Sequence, residues 1–119
     1  MPRAERKRNW CFTWNNPPVE VVEGRLTVEG SSYLCYQIER GENAGTVHAQ
    51  GVLCFSTLKS MAQVKSLLPL VHLEVMRGTI IQAVEYCRKE DTRVAGPWEQ
   101  GERPKGTVPP PGEWEIARA

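Results

Sequence analysis

The chain has 119 residues, 40% of them hydrophobic and 24% charged, with 15 Lys and Arg against 14 Asp and Glu for a net charge of +1. That is the length of one domain with a core of its own, and the balance excludes a globally disordered chain and a collagen-like repeat. No apolar run approaches the roughly 20 residues that cross a bilayer, and MPRAERKR opens without an apolar signal core, so the expectation is a soluble, intracellular protein with no membrane partner.

With so even a charge balance, nucleic-acid binding has to be argued from local clusters. One such cluster is Arg3, Arg6, Lys7 and Arg8, within an N-terminal stretch at residues 1–8. Two readings are open for it: a solvated tail, or a basic arm that touches phosphate or aids nuclear import.

Residues 9–14 (NWCFTW) read as a strand, stopped by Asn15-Asn16-Pro17-Pro18. Residues 19–30 mix helix-compatible Glu and Leu with β-branched residues and two glycines, and a short helix is expected there. SSYLCYQIER, ending at Arg40, is a second strand. Gly41 to Gly45 make a turn, and residues 46–55 (TVHAQGVLCF) return as a third strand in the clearest hairpin of the chain. Lys59 to Leu68 carries Met61, Val64 and Leu68 at helical spacing, with Thr57 or Ser56 as cap and Pro69 as stop.

Residues 71–77 alternate as a fourth strand. Gly78 and Thr79 then supply turn and N-cap for a helix from Ile80 to Lys89, with Ile80, Ala83, Val84 and Cys87 as its apolar face. An edge strand is expected near Arg93–Glu99. Residues 101–119 hold four prolines, three of them consecutive, and read as a Pro-rich linker or tail. The order predicts an α+β domain over 9–100, a central antiparallel sheet of about five strands with flanking helices. Cys11, Cys35, Cys54 and Cys87 show no CxxC pair, so they read as buried reduced thiols rather than zinc ligands.

Three clusters can carry chemistry. On the third strand His48 and Gln50 share a face, about 7 Å apart along it, and hairpin pairing can bring Glu39 beside them. An imidazole, an amide oxygen and a carboxylate form a mostly oxygen set that suits Mg²⁺ or Mn²⁺ better than zinc. A surface histidine beside a glutamine is the competing reading, and spacing alone does not decide between them. On the last helix Tyr86 and Lys89 are neighbours, with Gln82 one turn earlier. A tyrosine phenol ordinarily titrates near pH 10 and needs help to act as a nucleophile, so on these residues alone a packed ring with a wet hydroxyl is the favoured reading. Phe12, Thr13, Trp14, Asn15 and Asn16 run from strand into turn, either to stack on and read bases or as core aromatics followed by turn residues.

The order and spacing of these clusters carry a resemblance. FTWNN, then Glu39 nine positions before His48-x-Gln50, then Tyr86-x-x-Lys89, with WCFTWNNP and EYCRKEDTR around them, resembles the rolling-circle replication initiators (Rep) of small circular single-stranded DNA viruses, nearest to the circovirus-like and cyclovirus-like branch. It covers residues 9 to 100. The resemblance implies the HUH endonuclease fold, with an RRM-like sheet. It implies Glu39, His48 and Gln50 as metal ligands, Tyr86 as nucleophile, Lys89 as the motif lysine, and Phe12 to Asn16 as the motif that recognises origin DNA.

The resemblance further implies a sequence-specific, Mn²⁺- or Mg²⁺-dependent nicking and joining of single-stranded DNA at the viral origin stem-loop, through a 5′-phosphotyrosine link, in the host nucleus. Gln50 stands where plasmid relatives have a second histidine, and Ala49 is smaller than the bulky residue usual between the two ligands, which is expected to loosen local packing. No GxxxxGK[ST] loop occurs, so the expectation is a nuclease domain without its helicase, and a monomer. The main rival is a non-catalytic RRM-like module that binds single-stranded nucleic acid, with Trp10, Phe12 and Trp14 stacking on bases and Tyr86 structural.

Overall fold

The computed structural model describes residues 5–41 and 46–104. Among these residues the elements run β1 (Arg6–Asn15), α1 (Val19–Val22), β2 (Ser31–Arg40), β3 (Val47–Ser60), α2 (Met61–Leu67), β4 (His72–Val75), α3 (Ile80–Cys87) and β5 (Arg93–Gly101). The strands form one antiparallel sheet in the order β4-β1-β3-β2-β5, the α+β architecture expected from the sequence. The tail from residue 105, the hairpin turn over residues 42–45 and Arg3 of the basic cluster lie outside the described residues.

The sheet buries both faces, each by a different device. On one face Trp10, Phe12, Leu34, Tyr36, Ile38, Leu53 and Phe55 pack with Val21 of α1 and Val64 of α2. On the other, Tyr33, Cys35, Val52 and Cys54 lie under Ile80, Ile81, Val84 and Cys87 of α3. β2 is therefore buried on both sides along its middle, where simple alternation of apolar and polar residues is lost.

Several boundaries differ from the expected ones, for local reasons. β1 begins at Arg6, so Arg6, Lys7 and Arg8 belong to the sheet and not to an arm. Their partners are the far end of β3, Arg6 opposite Ser60 and Lys7 opposite Lys59, which is why β3 runs on past Phe55 into residues expected to be helical. The helix after it starts later, capped by Ser60 in place of Thr57 or Ser56: the Gln63 amide donates to the Ser60 hydroxyl, and the Ser60 amide donates back to the Gln63 side chain.

The short helix in 19–30 shrinks to α1. Gly24 follows with φ +83, and a Cβ there would fall 2.4 Å from the Trp98 ring, so the chain must leave the helix at a residue without a side chain. β4 covers His72–Val75 of the expected 71–77. α3 ends at Cys87 in place of Lys89, and its cap is the expected Thr79, closed into a capping box by Gln82. β5 continues to Gly101 at the sheet edge, the position where its Pro97 removes no ladder bond from a central strand.

Candidate active site

The β2–β3 hairpin sets the site. Its register places Glu39 opposite His48 and Gln37 opposite Gln50, and β1 brings Thr13 opposite Gln50 from the other side. Parity then decides which side chains share a face. Thr13, Gln37, Glu39, His48 and Gln50 lie on the α3 side, beyond the point where the apolar cover of α3 stops.

Glu39 is the centre of this polar group. It is only 2% exposed, yet its Oε1 lies 3.3 Å from His48 Nε2 and 3.7 Å from Lys89 Nζ, while its Oε2 accepts from Gln37 Nε2 at 2.9 Å. A carboxylate removed from water is tolerated only with such compensation. The amide oxygen of Gln50 accepts from Thr13 Oγ1 at 3.0 Å, which orients it and leaves its second lone pair free. Carboxylate, imidazole and oriented amide oxygen therefore fit a hard divalent ion such as Mn²⁺ or Mg²⁺. Among the described residues no three His, Cys, Asp or Glu side chains cluster as a metal site; here the third donor is an amide.

The tyrosine comes to this place on α3, and the lysine two residues after the helix ends. Cys87, the last residue of the helix, docks it: the Sγ lies 3.3 Å from the Cys35 carbonyl oxygen and 3.2 Å from that of Gln50, over the two strands that carry the ligand set. Arg88 pins the following residues to β5 by donating to Glu99 Oε1 at 3.0 Å. Tyr86, next to Cys87, is 58% exposed, more open than a boundary position, and Lys89 holds its ammonium 4.6 Å from the centre of the Tyr86 ring. The Lys89 ammonium thus stands between the carboxylate of Glu39 and the ring of Tyr86. Tyr86, Gln50 and Thr13 also line one groove of about 400 Å³, continued by His72, Glu74 and Arg77 of and beyond the edge strand β4.

The residues 12–16 divide between the two faces. Phe12 is 1% exposed and packs in the opposite core, with its ring across Gly51, so it is not available to a ligand on the α3 side. Trp14 packs partly buried against the same core. Trp10 is also 1% exposed, so the base-stacking platform of the rival module is absent at Trp10 and Phe12. Thr13 faces the site, Asn15 pairs in register with His48, and Asn16 turns the chain at φ +52 with its amide donating to the Val47 carbonyl. Ala49 is fully buried, in register between Ile38 and Trp14.

All four cysteines are free thiols, and Cys35, Cys54 and Cys87 are buried as their sequence context implies, whereas Cys11, on β1 at the groove, is only half-buried. Burial pushes the Cys54 thiol up to about 12, and the Cys87 thiol, hydrogen-bonded to Cys35 and buried, is also raised. Gln37 is the member of this polar group that sequence reasoning passed over: it is fully buried and bridges Glu39 to the Lys89 carbonyl. The one sequence signal for it is its place two residues before Glu39 on the same strand face.

The family described as "Putative viral replication protein" matches residues 7–90. The chain is 47% identical over 95 residues to the master replication protein of subterranean clover stunt virus (strain F), covering 78% of this chain and 31% of that protein. It is 45% identical over 93 residues to the master replication protein of faba bean necrotic yellows virus, with the same 78% and 31% shares. To that of banana bunchy top virus it is 40% identical over 93 residues, 77% of this chain and 30% of that protein. The chain thus spans about a third of the length of these relatives. They stand on the nanovirus branch, a different branch from the circovirus-like one that the motifs resemble. With its Glu39, His48, Gln50 and Tyr86 inside the matched span, the chain belongs to the viral replication protein family.

Proposed function

We propose that this domain is a metal-dependent nicking and joining enzyme for single-stranded DNA at a viral replication origin, of the HUH endonuclease type. The observation that carries the reading is the convergence of Glu39, His48, Lys89 and the Tyr86 ring at one end of the sheet, with Gln50 on the groove that Tyr86 also lines. Glu39, His48 and Gln50 would hold the ion, and a bound Mn²⁺ or Mg²⁺ supplies Lewis-acid charge at the scissile phosphate.

The chain's own groups then account for the rest. The exposed Tyr86 hydroxyl attacks phosphorus and gives its proton to solvent. The bond from phosphorus to the 3′-oxygen breaks, the 3′-oxygen takes up a proton, and the 5′-phosphate stays on the tyrosine. Attack on that link by a 3′-hydroxyl reverses the step, so cutting and sealing use one site. Lys89 places positive charge beside both the phenol and the phosphate, where negative charge develops. Thr13 holds the Gln50 amide oxygen in one orientation on the groove that Tyr86 also lines. Single-stranded origin DNA is the partner in this reading, and the host nucleus its place of action.

The test incubates the protein with Mn²⁺ and an oligonucleotide carrying a nanovirus or circovirus origin nonanucleotide, beside Tyr86→Phe. The expected result is a metal-dependent protein–DNA adduct that survives denaturation and is missing from the variant. An adduct that persists in Tyr86→Phe, or binding without any cleavage in Mn²⁺, would overturn the reading.

A further inference from the structure

We propose that Gln37 is a positioning residue for the metal site: it sets the Glu39 carboxylate and ties it to the end of the helix that carries Tyr86. The inference rests on the metal-dependent reading above. Gln37 is fully buried, and its single nitrogen donates twice, to Glu39 Oε2 at 2.9 Å and to the Lys89 carbonyl oxygen at 2.7 Å. These two acceptors fix the amide orientation, since the flipped rotamer would press its oxygen against both.

The amide oxygen of Gln37, Oε1, is buried without a hydrogen-bond partner among the described residues. An orphaned buried acceptor lowers stability, and an apolar side chain of equal size would avoid it. The glutamine therefore combines one unmet acceptor with two specific bonds, to the buried Glu39 carboxylate and to the Lys89 carbonyl. Its position serves the bridge: Gln37 lies where the β2–β5 ladder shifts register, between the pairs Tyr36–Trp98 and Ile38–Ala95, which lets the side chain reach the backbone after α3. Without it the carboxylate keeps its contacts to His48 and Lys89 through one oxygen, and the other oxygen is free to rotate away.

Such outer contacts to a metal ligand typically change affinity by roughly 10- to 100-fold when removed. The test titrates Mn²⁺ into the protein and follows the electron paramagnetic resonance of the free ion for the unaltered chain, Gln37→Met and Gln37→Asn, with thermal unfolding of each in the absence of metal. Met keeps the volume and removes the orphaned oxygen; Asn keeps the amide but is a methylene too short to span both acceptors.

The expected outcome is Mn²⁺ binding weakened by roughly 10- to 100-fold in both variants at a temperature where each is fully folded, with melting temperatures lowered by the loss of the bonds to Glu39 and the Lys89 carbonyl. Equal Mn²⁺ affinity in all three overturns the proposal and leaves the metal-dependent reading intact. Weakening that appears only where a variant is partly unfolded, or failure of both variants to fold, assigns Gln37 to the core and also overturns it. An unaltered chain that takes up no Mn²⁺ defeats the metal-dependent reading, and this proposal with it.

Discussion

Glu39 and His48 face each other across the β2–β3 ladder with 3.3 Å between Oε1 and Nε2, although nine positions separate them in the chain. The contact is a product of hairpin register. A slip of one residue would turn one of the two to the opposite core, so pairing of these strands and assembly of the site are a single event.

Glu39→Gln tests the charge at that centre. The shape is kept, Lys89 and His48 retain partial access to water, and the expected cost in stability is about 1–3 kcal/mol. Metal-dependent adduct formation is expected to disappear while the fold persists by circular dichroism. Adduct yield equal to that of the unaltered chain would show that the carboxylate charge is not needed.

Thr13→Val removes the hydroxyl that orients Gln50 and keeps the side-chain volume. The Mn²⁺ concentration for half-maximal adduct formation is expected to rise by roughly 10-fold, in line with the loss of a contact behind a metal ligand. A titration curve that overlays the unaltered one would mean that Gln50 needs no orienting partner.

Gly51→Ala tests the close approach beneath the site. An added Cβ would fall 2.4 Å from the Phe12 ring and 2.8 Å from the Cβ of Tyr36, both buried. Overpacking of this kind costs about 1–3 kcal/mol, which lowers the melting temperature of a domain this size by roughly 4–8 °C per kcal/mol. An unchanged melting temperature would show that Phe12 has room to move aside.

The buried thiols predict alkaline lability. Cys54 titrates at 9.0 when free and is pushed up to about 12 by burial; burial also raises Tyr33 and Tyr36. The unfolded chain loses these protons first, so the stability they confer is complete below pH 9 and falls as pH rises from 9 toward 12. Each such group contributes a slope of at most about 1.4 kcal/mol per pH unit. Melting temperatures between pH 7 and 11 should stay level to about pH 9 and then drop; a flat profile to pH 11 would show the thiols to be solvated.

Much of this site was legible before the fold was known, and the reasons are specific. The hairpin could be read because two β-rich runs flank a glycine turn, whereas its register, and with it the Glu39–His48 pairing, came with the fold. Thr79 after Gly78 announced the start of α3 as an N-cap, and the capping box that Gln82 closes came with the fold. The continuation of β3 to Ser60 was not legible, because both it and its partner Arg6–Lys7 are polar and only their pairing makes them a strand. Nor was the division of residues 12–16: a single strand parity sends Phe12 to one core and Thr13 to the other face, and a motif read as one block hides it. Gln37 carried only its place two residues before Glu39 on one strand face, and nothing in a sequence separates a buried bridging amide from a surface one.

The strand order has one more effect. β4 and β5 are the opposite margins of the sheet, and α3 is the element that joins them along the chain. The helix is a crossbar fastened at both ends, with the tyrosine near one fastening. Any lengthening of the stretch before Gly78 or after Lys89 would slacken that crossbar and let Tyr86 drift from Gln50 while every hydrogen bond of the sheet stayed in place. On the proposed reading, the spacing of Tyr86 from Glu39, His48 and Gln50 is therefore set by the lengths of two short connectors at the margins, where a graft or an insertion would be felt first as lost adduct formation and only later as lost stability.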